Sequence, residues 1–483
     1  MPDPSPKRIF DTRLCDPGQR HWILIVAAIA SAMGFIDSSL VAIAMPSIRN
    51  SLGATLVESQ WVSNAYMLTL ASFILVGGAI GDRLGLVKVF KLGILVFVVA
   101  SVACAIAPSP NALIAARFVK GVGAAMMVPG SMAIVSRAYP REERGRALGI
   151  WAATSSITTG LGPILGGLAL SVWGEDVWRW LFAINLPLGI LCLIVLNRVV
   201  QHDASKPGTP IDIAGGVFAT LGLGILAFGL TQLQSPEIAV SASMMGLCLI
   251  GVFIWWEAKI DTPMLPLKLF KEPGFSAINL ATFLLWTAFS SILFFLPMMV
   301  VAGWGISEFA MTAAFFPLTI FIGGLSTWSG KMADKVGAGP MIGSGATIVA
   351  IALILLGYTA PEMNYWGRTV PSMALMAFGM SLVVSPLTAG VMAAAPDHMS
   401  GTASGVNNAV ARTAGLFAVA AFGGIAGMAY SAFGGGESFG IQSSTDGHLT
   451  AVNLAFRTIT FGAAFLALTS AIVGFFAVPK PKV

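Results

Sequence analysis

Four charged side chains stand where charge is costly: Asp37, Arg117, Lys120 and Arg412 each interrupt a long apolar run. A charge in hydrocarbon costs at least about 2.5–3.5 kcal/mol on insertion scales, so such residues face a cavity and a partner and mark ion or substrate pathways. At 1.5 Å per helical residue, Asp37 lies about 22 Å into its run and Arg117 about 12 Å into its own from the opposite side, which brings the two to one depth. The spacing predicts that they face a central cavity within salt-bridge or one-water reach. Lys120 follows Arg117 by three positions and shares its helix face; like Arg412, it falls about 15 Å deep. One acid therefore stands among three bases. Either Asp37 exchanges a proton, poised between burial and the Arg117 charge, or Lys120 does, desolvated beside Arg117. A positive cavity would favour an anionic or amphiphilic substrate over a simple cation, unless Lys120 snorkels away from it. Tyr66, Met126, Met127, Trp151, Trp286, Phe289, Phe294 and Met298 are candidates to line an adaptable apolar pocket, although most residues of this kind serve packing or face lipid.

Membrane helices must position these residues. Hydrophobic residues make up 56% of the 483 and charged residues 10%, with a mean hydropathy of +0.84, against roughly 25% charged in a soluble domain. That is too little charge to coat the three or so globules the length would suggest. Thirty Phe and 12 Trp argue against disorder. Apolar runs of about 20 residues, the length that spans a bilayer, occur near 22–45, 58–80, 88–107, 110–136, 146–171, 178–199, 213–233, 238–257, 274–300, 306–330, 339–358, 370–394, 402–428 and 455–478. The expected fold is an all-α membrane protein of fourteen transmembrane helices. An even number puts both termini on one side. Loops on that side hold twenty Lys and Arg, and the opposite loops hold only Arg49, Arg179 and Arg368, which predicts cytoplasmic termini in the cytoplasmic membrane. The net charge of +5 then reflects these loops and gives no reason to expect nucleic acid. Polar residues precede the first run, so it reads as a retained helix and not as a cleaved signal.

Cys15, Cys104, Cys192 and Cys248 form no disulfide framework or zinc pattern. His21, His202, His398 and His448 fall in loops or at helix ends, where solvation is expected. No GxxxxGK[ST] loop occurs, so direct ATP drive is not expected. No cofactor or metal is implied.

Two loop patterns recur. Gly78-Ala-Ile-Gly-Asp82-Arg83-Leu-Gly85 returns as Gly330-Lys-Met-Ala-Asp334-Lys335-Val-Gly337, and Pro140, Gly145, Ala147 and Gly149 return at Pro396, Gly401, Ala403 and Gly405. Nearly equal offsets on one membrane side point to parallel halves: a six-helix bundle over 1–200, two additional helices with linkers over 201–272, and a second six-helix bundle over 273–483. Gly85 suits a tight turn. Asp82 at a helix end is placed to dock on a neighbouring helix N-terminus or on Arg141, Arg144 or Arg146, a contact worth about 0.3–2 kcal/mol. Gly160, Gly162, Gly166 and Gly167 let helices approach closely in lipid, and Pro163 would bend their helix.

Together these residues resemble the major facilitator superfamily, specifically its fourteen-helix drug:proton antiporter branch. The loop from Gly78 to Gly85 is similar to the family's motif A, with Leu86 and Val87 where basic residues are usual. Arg117-Phe-Val-Lys120-Gly121-Val-Gly123 is similar to motif B, Lys120 replacing the usual glutamine, and Gly160 to Gly167 is similar to the antiporter motif C. Asp37 to Pro46, Gln60-Trp61, Trp178 to Pro187, and Glu257 with Pro263, Leu265, Pro266 and Phe270 add to the likeness. The resemblance implies alternating access driven by protons, with motif A as a cytoplasmic latch and motif C as hinge and seal. It leaves the substrate open. Proton-coupled efflux of small amphipathic compounds by a monomer is the expected function; a dedicated exporter of one metabolite, lipid or organic anion is the alternative, and a membrane sensor without transport is a third reading.

Overall fold

A computed structural model describes residues 14–478 apart from 202, 204–211, 397, 398, 444 and 446. The side chains of Ser38, Asp82, Arg141, Glu142, Ser400, Gly401 and several positions between 152 and 160, Gly160 among them, also lie outside the described set. The described chain is helical throughout, with no strand. Its helices are α1 (Arg20–Leu52), α2 (Leu56–Leu84), α3 (Leu86–Ala105), α4 (Pro110–Ala138), α5 (Arg141–Trp173), α6 (Trp178–Ala183), α7 (Asn185–Val199), α8 (Ile213–Thr231), α9 (Pro236–Lys259), α10 (Pro273–Pro297), α11 (Glu308–Val336), α12 (Ala338–Thr359), α13 (Val370–Ala393), α14 (Ser400–Ala432) and α15 (His448–Ala477).

Thirteen stretches among the described residues are long and apolar enough to cross a membrane. α6 and α7 belong to one of them, Glu175–Val199. α5 is not among the thirteen: its apolar stretch in the described residues is Leu161–Trp173, because its first turns carry Arg144 and Arg146 and several following side chains lie outside the set. Fourteen spans were expected where thirteen meet the criterion. Helices also run past the apolar windows, as in α15, which begins at His448 and not near 455. The window measures hydrocarbon burial, whereas the backbone ladder continues into the polar interface.

Local chemistry sets the ends. Thr55 and Glu58 form a reciprocal capping box on α2, Ser109 and Ser307 cap α4 and α11, and prolines occupy the first turns of α4, α9 and α10. Gly85 (φ +105°) and Gly337 (φ +95°) end α2 and α11 in a conformation that a Cβ resists, so the two copies of the repeated loop turn alike.

Two apolar cores follow from the packing. Toward the face where α1 begins (the near face), one core is built from buried residues between Leu14 and Val199 alone. A larger core runs the length of α10–α15 and, toward the face where α1 ends (the far face), takes in Val41, Ile43, Met45, Ile48, Leu113, Leu170, Trp178 and Phe182. α8 lies across α2 and α14: Gly216 packs by Phe73 and Val76, and Leu233, just past the end of α8, packs by Gly424. α9 rests on α8, with Gly246 fitted to the backbone of Leu226. Asp212 accepts hydrogen bonds from Gly215 N (2.8 Å) and Trp256 Nε1 (2.9 Å), and Glu257 accepts one from Leu265 N (2.9 Å), tying the ends of these two helices to the flanking linkers.

Candidate functional site

α4 assembles the site because its glycines let two neighbours press against it. A Cβ on Gly121 would overlap Thr69 and lie 2.5 Å from the Tyr66 carbonyl oxygen on α2, and one on Gly123 would lie 2.6 Å from Phe97 N on α3. Thr69 Oγ1 donates to Phe118 O at 2.9 Å across the same contact. Arg117 and Lys120, one turn apart, then both reach α1. Arg117 Nη1 donates to Asp37 Oδ2 and Lys120 Nζ donates to Asp37 Oδ1. Arg117 also donates from Nε to Val62 O at 2.9 Å, and its guanidinium lies 4.5 Å from the centroid of Tyr66. The Tyr66 hydroxyl donates to Gly34 O at 3.3 Å. Lys120 Nζ sits 4.7 Å from the rings of both Phe97 and Phe182, a cation–π enclosure that gains strength from desolvation.

The three charged residues are 4%, 1% and 0% exposed (Asp37, Arg117, Lys120). Asp37 and Arg117 are paired as the depth arithmetic predicts, but side chains of α2, α3, α4 and α6 enclose them, so they do not line an open cavity. Lys120 does not snorkel; it shares the carboxylate. Two of the three bases therefore spend their charge on one acid, which leaves one base without that partner. That one is Arg412, only partly buried on α14, whose guanidinium lies 5.3 Å from the ring centroid of Phe35 on α1 and within electrostatic reach of Tyr66. Among the described residues no carboxylate pairs with it. Toward the near face, a cleft of about 100 Å³ between α10, α13 and α14 is lined by Trp286, Thr388, Ser404, Asn407, Asn408 and Ala411 among others. Of the other pocket candidates, Met127, Phe289, Phe294 and Met298 are buried in packing, and Trp151 Nε1 donates to Ser31 Oγ at 2.9 Å.

The gating candidates divide by position. A Cβ on Gly162 would overlap Ser39 and one on Gly166 would press Leu40 at 3.3 Å, both on α1, whereas one on Gly167 would lie 2.5 Å from Glu308 O on α11. α5 runs through Pro163 without a break. Gly78 is exposed with open space beside it, and Arg83 and Asp334 are exposed. Asp82 lies outside the described side chains. The carboxylate docked on a helix N-terminus is Asp203, which accepts from Val87 N (3.1 Å) and Lys88 N (2.9 Å) at the start of α3. Arg144 donates to Tyr139 O at 3.5 Å, at the end of α4.

Sequence reasoning missed Asp203, which follows α7 in a segment without periodic pattern, and Arg49, counted there only as a loop charge. Arg49 is buried at the far end of α1, donating from Nη1 to Phe439 O, from Nη2 to Ser438 Oγ at 2.7 Å and from Nε to Ala54 O at 3.0 Å. His448 is also corrected. It is buried rather than solvated, pairing through Nδ1 with the Tyr430 hydroxyl (2.7 Å) and through Nε2 with Ile441 O (3.0 Å). His202 and His398 lie outside the described residues.

The chain as a whole has counterparts among known proteins. The profile of the Major Facilitator Superfamily matches residues 27–420. The chain belongs to that superfamily. It is a multi-pass membrane transporter and not an enzyme. Within the superfamily it is 32% identical to the methylenomycin A resistance protein of Bacillus subtilis, over 82% of this chain and 86% of that protein. It is 30% identical to the multidrug export protein EmrB of Haemophilus influenzae, over 81% of this chain and 78% of that one. The bacterial homologue of the human lysosomal transporter Spinster, solved inward-facing and unoccupied, superposes with a TM-score of 0.66 at 16% identity, over 96% of this chain and 98% of that chain; this likeness concerns the fold.

Proposed function

We propose that this transporter expels small amphipathic compounds across the cytoplasmic membrane in exchange for protons, by alternating access. The relatives named for resistance and multidrug export support the direction of transport. In this reading α5 completes fourteen spans, 1–200 and 273–483 are the two rocking bundles, 201–272 carries the two additional helices, and the near face with both termini is cytoplasmic, as the loop charges require. The far-face core and the Arg49 contacts are then the closed external gate, and the two bundles part toward the cytoplasm, with motif C as the seal between α1, α5 and α11.

The observation that carries proton coupling is the Asp37 carboxylate, halfway along α1, held between Arg117 and Lys120 in the first half of α4. A proton added to this cluster neutralises its one carboxylate and so weakens both ionic contacts between α1 and α4, and the relative energy of the two bundle arrangements then depends on its protonation. Groups coupled this tightly titrate as a unit, so the proton belongs to the cluster rather than to Asp37 or Lys120 alone. Inverted membrane vesicles test the reading. Accumulation of several unrelated amphiphiles on energisation, collapsing with a protonophore, is expected; accumulation that persists without a proton gradient and follows ATP would overturn it.

A further inference from the structure

We infer that Arg412 anchors an anionic group of the transported compound, which makes the preferred substrate a singly charged anionic amphiphile. The inference rests on the export reading and adds the substrate class to it. A guanidinium at mid-membrane depth is stable only with a partner or water. Asp37, the one acid at this depth, already accepts from two cations, and the Arg412 guanidinium lies over the face of Phe35. A cation–π contact of this kind contributes about 0.5–2 kcal/mol and leaves the five N–H donors of the guanidinium in need of acceptors. Taken together, Asp37, Arg117, Lys120 and Arg412 carry a formal charge of +2, so an incoming anion is attracted and an incoming cation repelled.

The surroundings fit the rest of such a molecule. Ser404, Asn408 and Arg412 follow at four-residue intervals on α14 and form one ridge. The first two line the cleft, and Arg412 follows one turn further along the same ridge, just beyond the lining residues. Asn407 donates its amide to Asn279 Oδ1 (3.1 Å) and Thr282 Oγ1 (2.9 Å), which leaves its own carbonyl oxygen as an acceptor beside the cleft. Trp286 supplies an aromatic wall, and Leu387 and Val391 an apolar one. A planar carboxylate suits the guanidinium best, because two parallel N–H···O bonds can form. The body of the ligand then needs one apolar surface and a neutral hydrogen-bonding group.

The purified full chain in nanodiscs tests this with matched probes: 1-naphthaleneacetate, 1-naphthaleneacetamide and 1-naphthylmethylammonium, and the corresponding octyl series. We expect at least one carboxylate to bind ten-fold or more tightly than its amide, and the ammonium compounds to bind most weakly. Arg412→Gln should erase the preference, bringing carboxylate affinity to that of the amide, and Arg412→Lys should retain part of it. Equal binding of carboxylates and amides in both series, or an undiminished preference in Arg412→Gln, would overturn the anchor; should that variant fail to fold, the ranking in the natural protein decides alone. These measurements need no gradient. If the preference holds while transport proves independent of protons, the antiport reading falls and the anchor stands.

Discussion

Asp37 can stay ionised out of water because both of its oxygens accept a charge-assisted bond. The cost of burying three charges is offset only while all partners are present, so Arg117→Met or Lys120→Met should each lower stability by about 3–5 kcal/mol, read as a drop in thermal unfolding in nanodiscs. The Asp37→Asn, Lys120→Gln pair should be milder than the sum of its parts by about 0.5–3 kcal/mol; strict additivity would mean that the two side chains do not interact. Part of this was legible in the sequence. Rise per residue put Asp37 and Arg117 at one depth, and the three-residue step put Lys120 on the same face. Whether Lys120 reached the acid or the lipid interface was not legible, because that depends on Gly121 and Gly123 admitting α2 and α3 and on Phe97 and Phe182 closing over the ammonium.

Between elements, the controlling quantity is how near two backbones come. Gly121→Val meets the Tyr66 carbonyl, which cannot swing aside, and should cost about 1–3 kcal/mol with loss of transport; Gly145→Ala, which meets open space, serves as the neutral control. Asp203→Ala removes the acceptor for two N–H groups at the start of α3 and should cost about 0.5–2 kcal/mol in the same unfolding assay. An unchanged midpoint would show that the docking contributes nothing. The order of the apolar helices was readable from apolar runs because hydrocarbon thickness fixes their length, whereas fourteen runs were read and thirteen stretches among the described residues are long and apolar enough to span. The division between α6 and α7 at Ile184 was not readable, nor was the capping by Asp203, which arises from a contact distant in sequence.

At the scale of the molecule, closure is uneven: the larger core crosses between the first and last helices at the far face, whereas buried residues 14–199 form a core of their own at the near face. Arg49 closes the far side by binding the loop between α14 and α15. In a Cys248→Ser, Ser438→Cys background, Arg49→Ala removes charge-assisted bonds worth about 1.5–3 kcal/mol, so labelling by an impermeant external thiol reagent should rise about 10–100-fold; no change would remove Arg49 from the gate. The recurrence of Gly85 at Gly337 was visible in the sequence, and the two turn alike, but the sequence could not say which face was sealed, because that is a property of one conformation.

The most direct measurement is substrate-dependent proton movement in liposomes holding a pH-sensitive dye, comparing the natural protein with Asp37→Asn. Proton flux opposite to substrate flux is predicted for the former, and substrate binding without coupled proton flux for the latter. Undiminished coupled flux in Asp37→Asn would contradict proton exchange at the Asp37, Arg117 and Lys120 cluster.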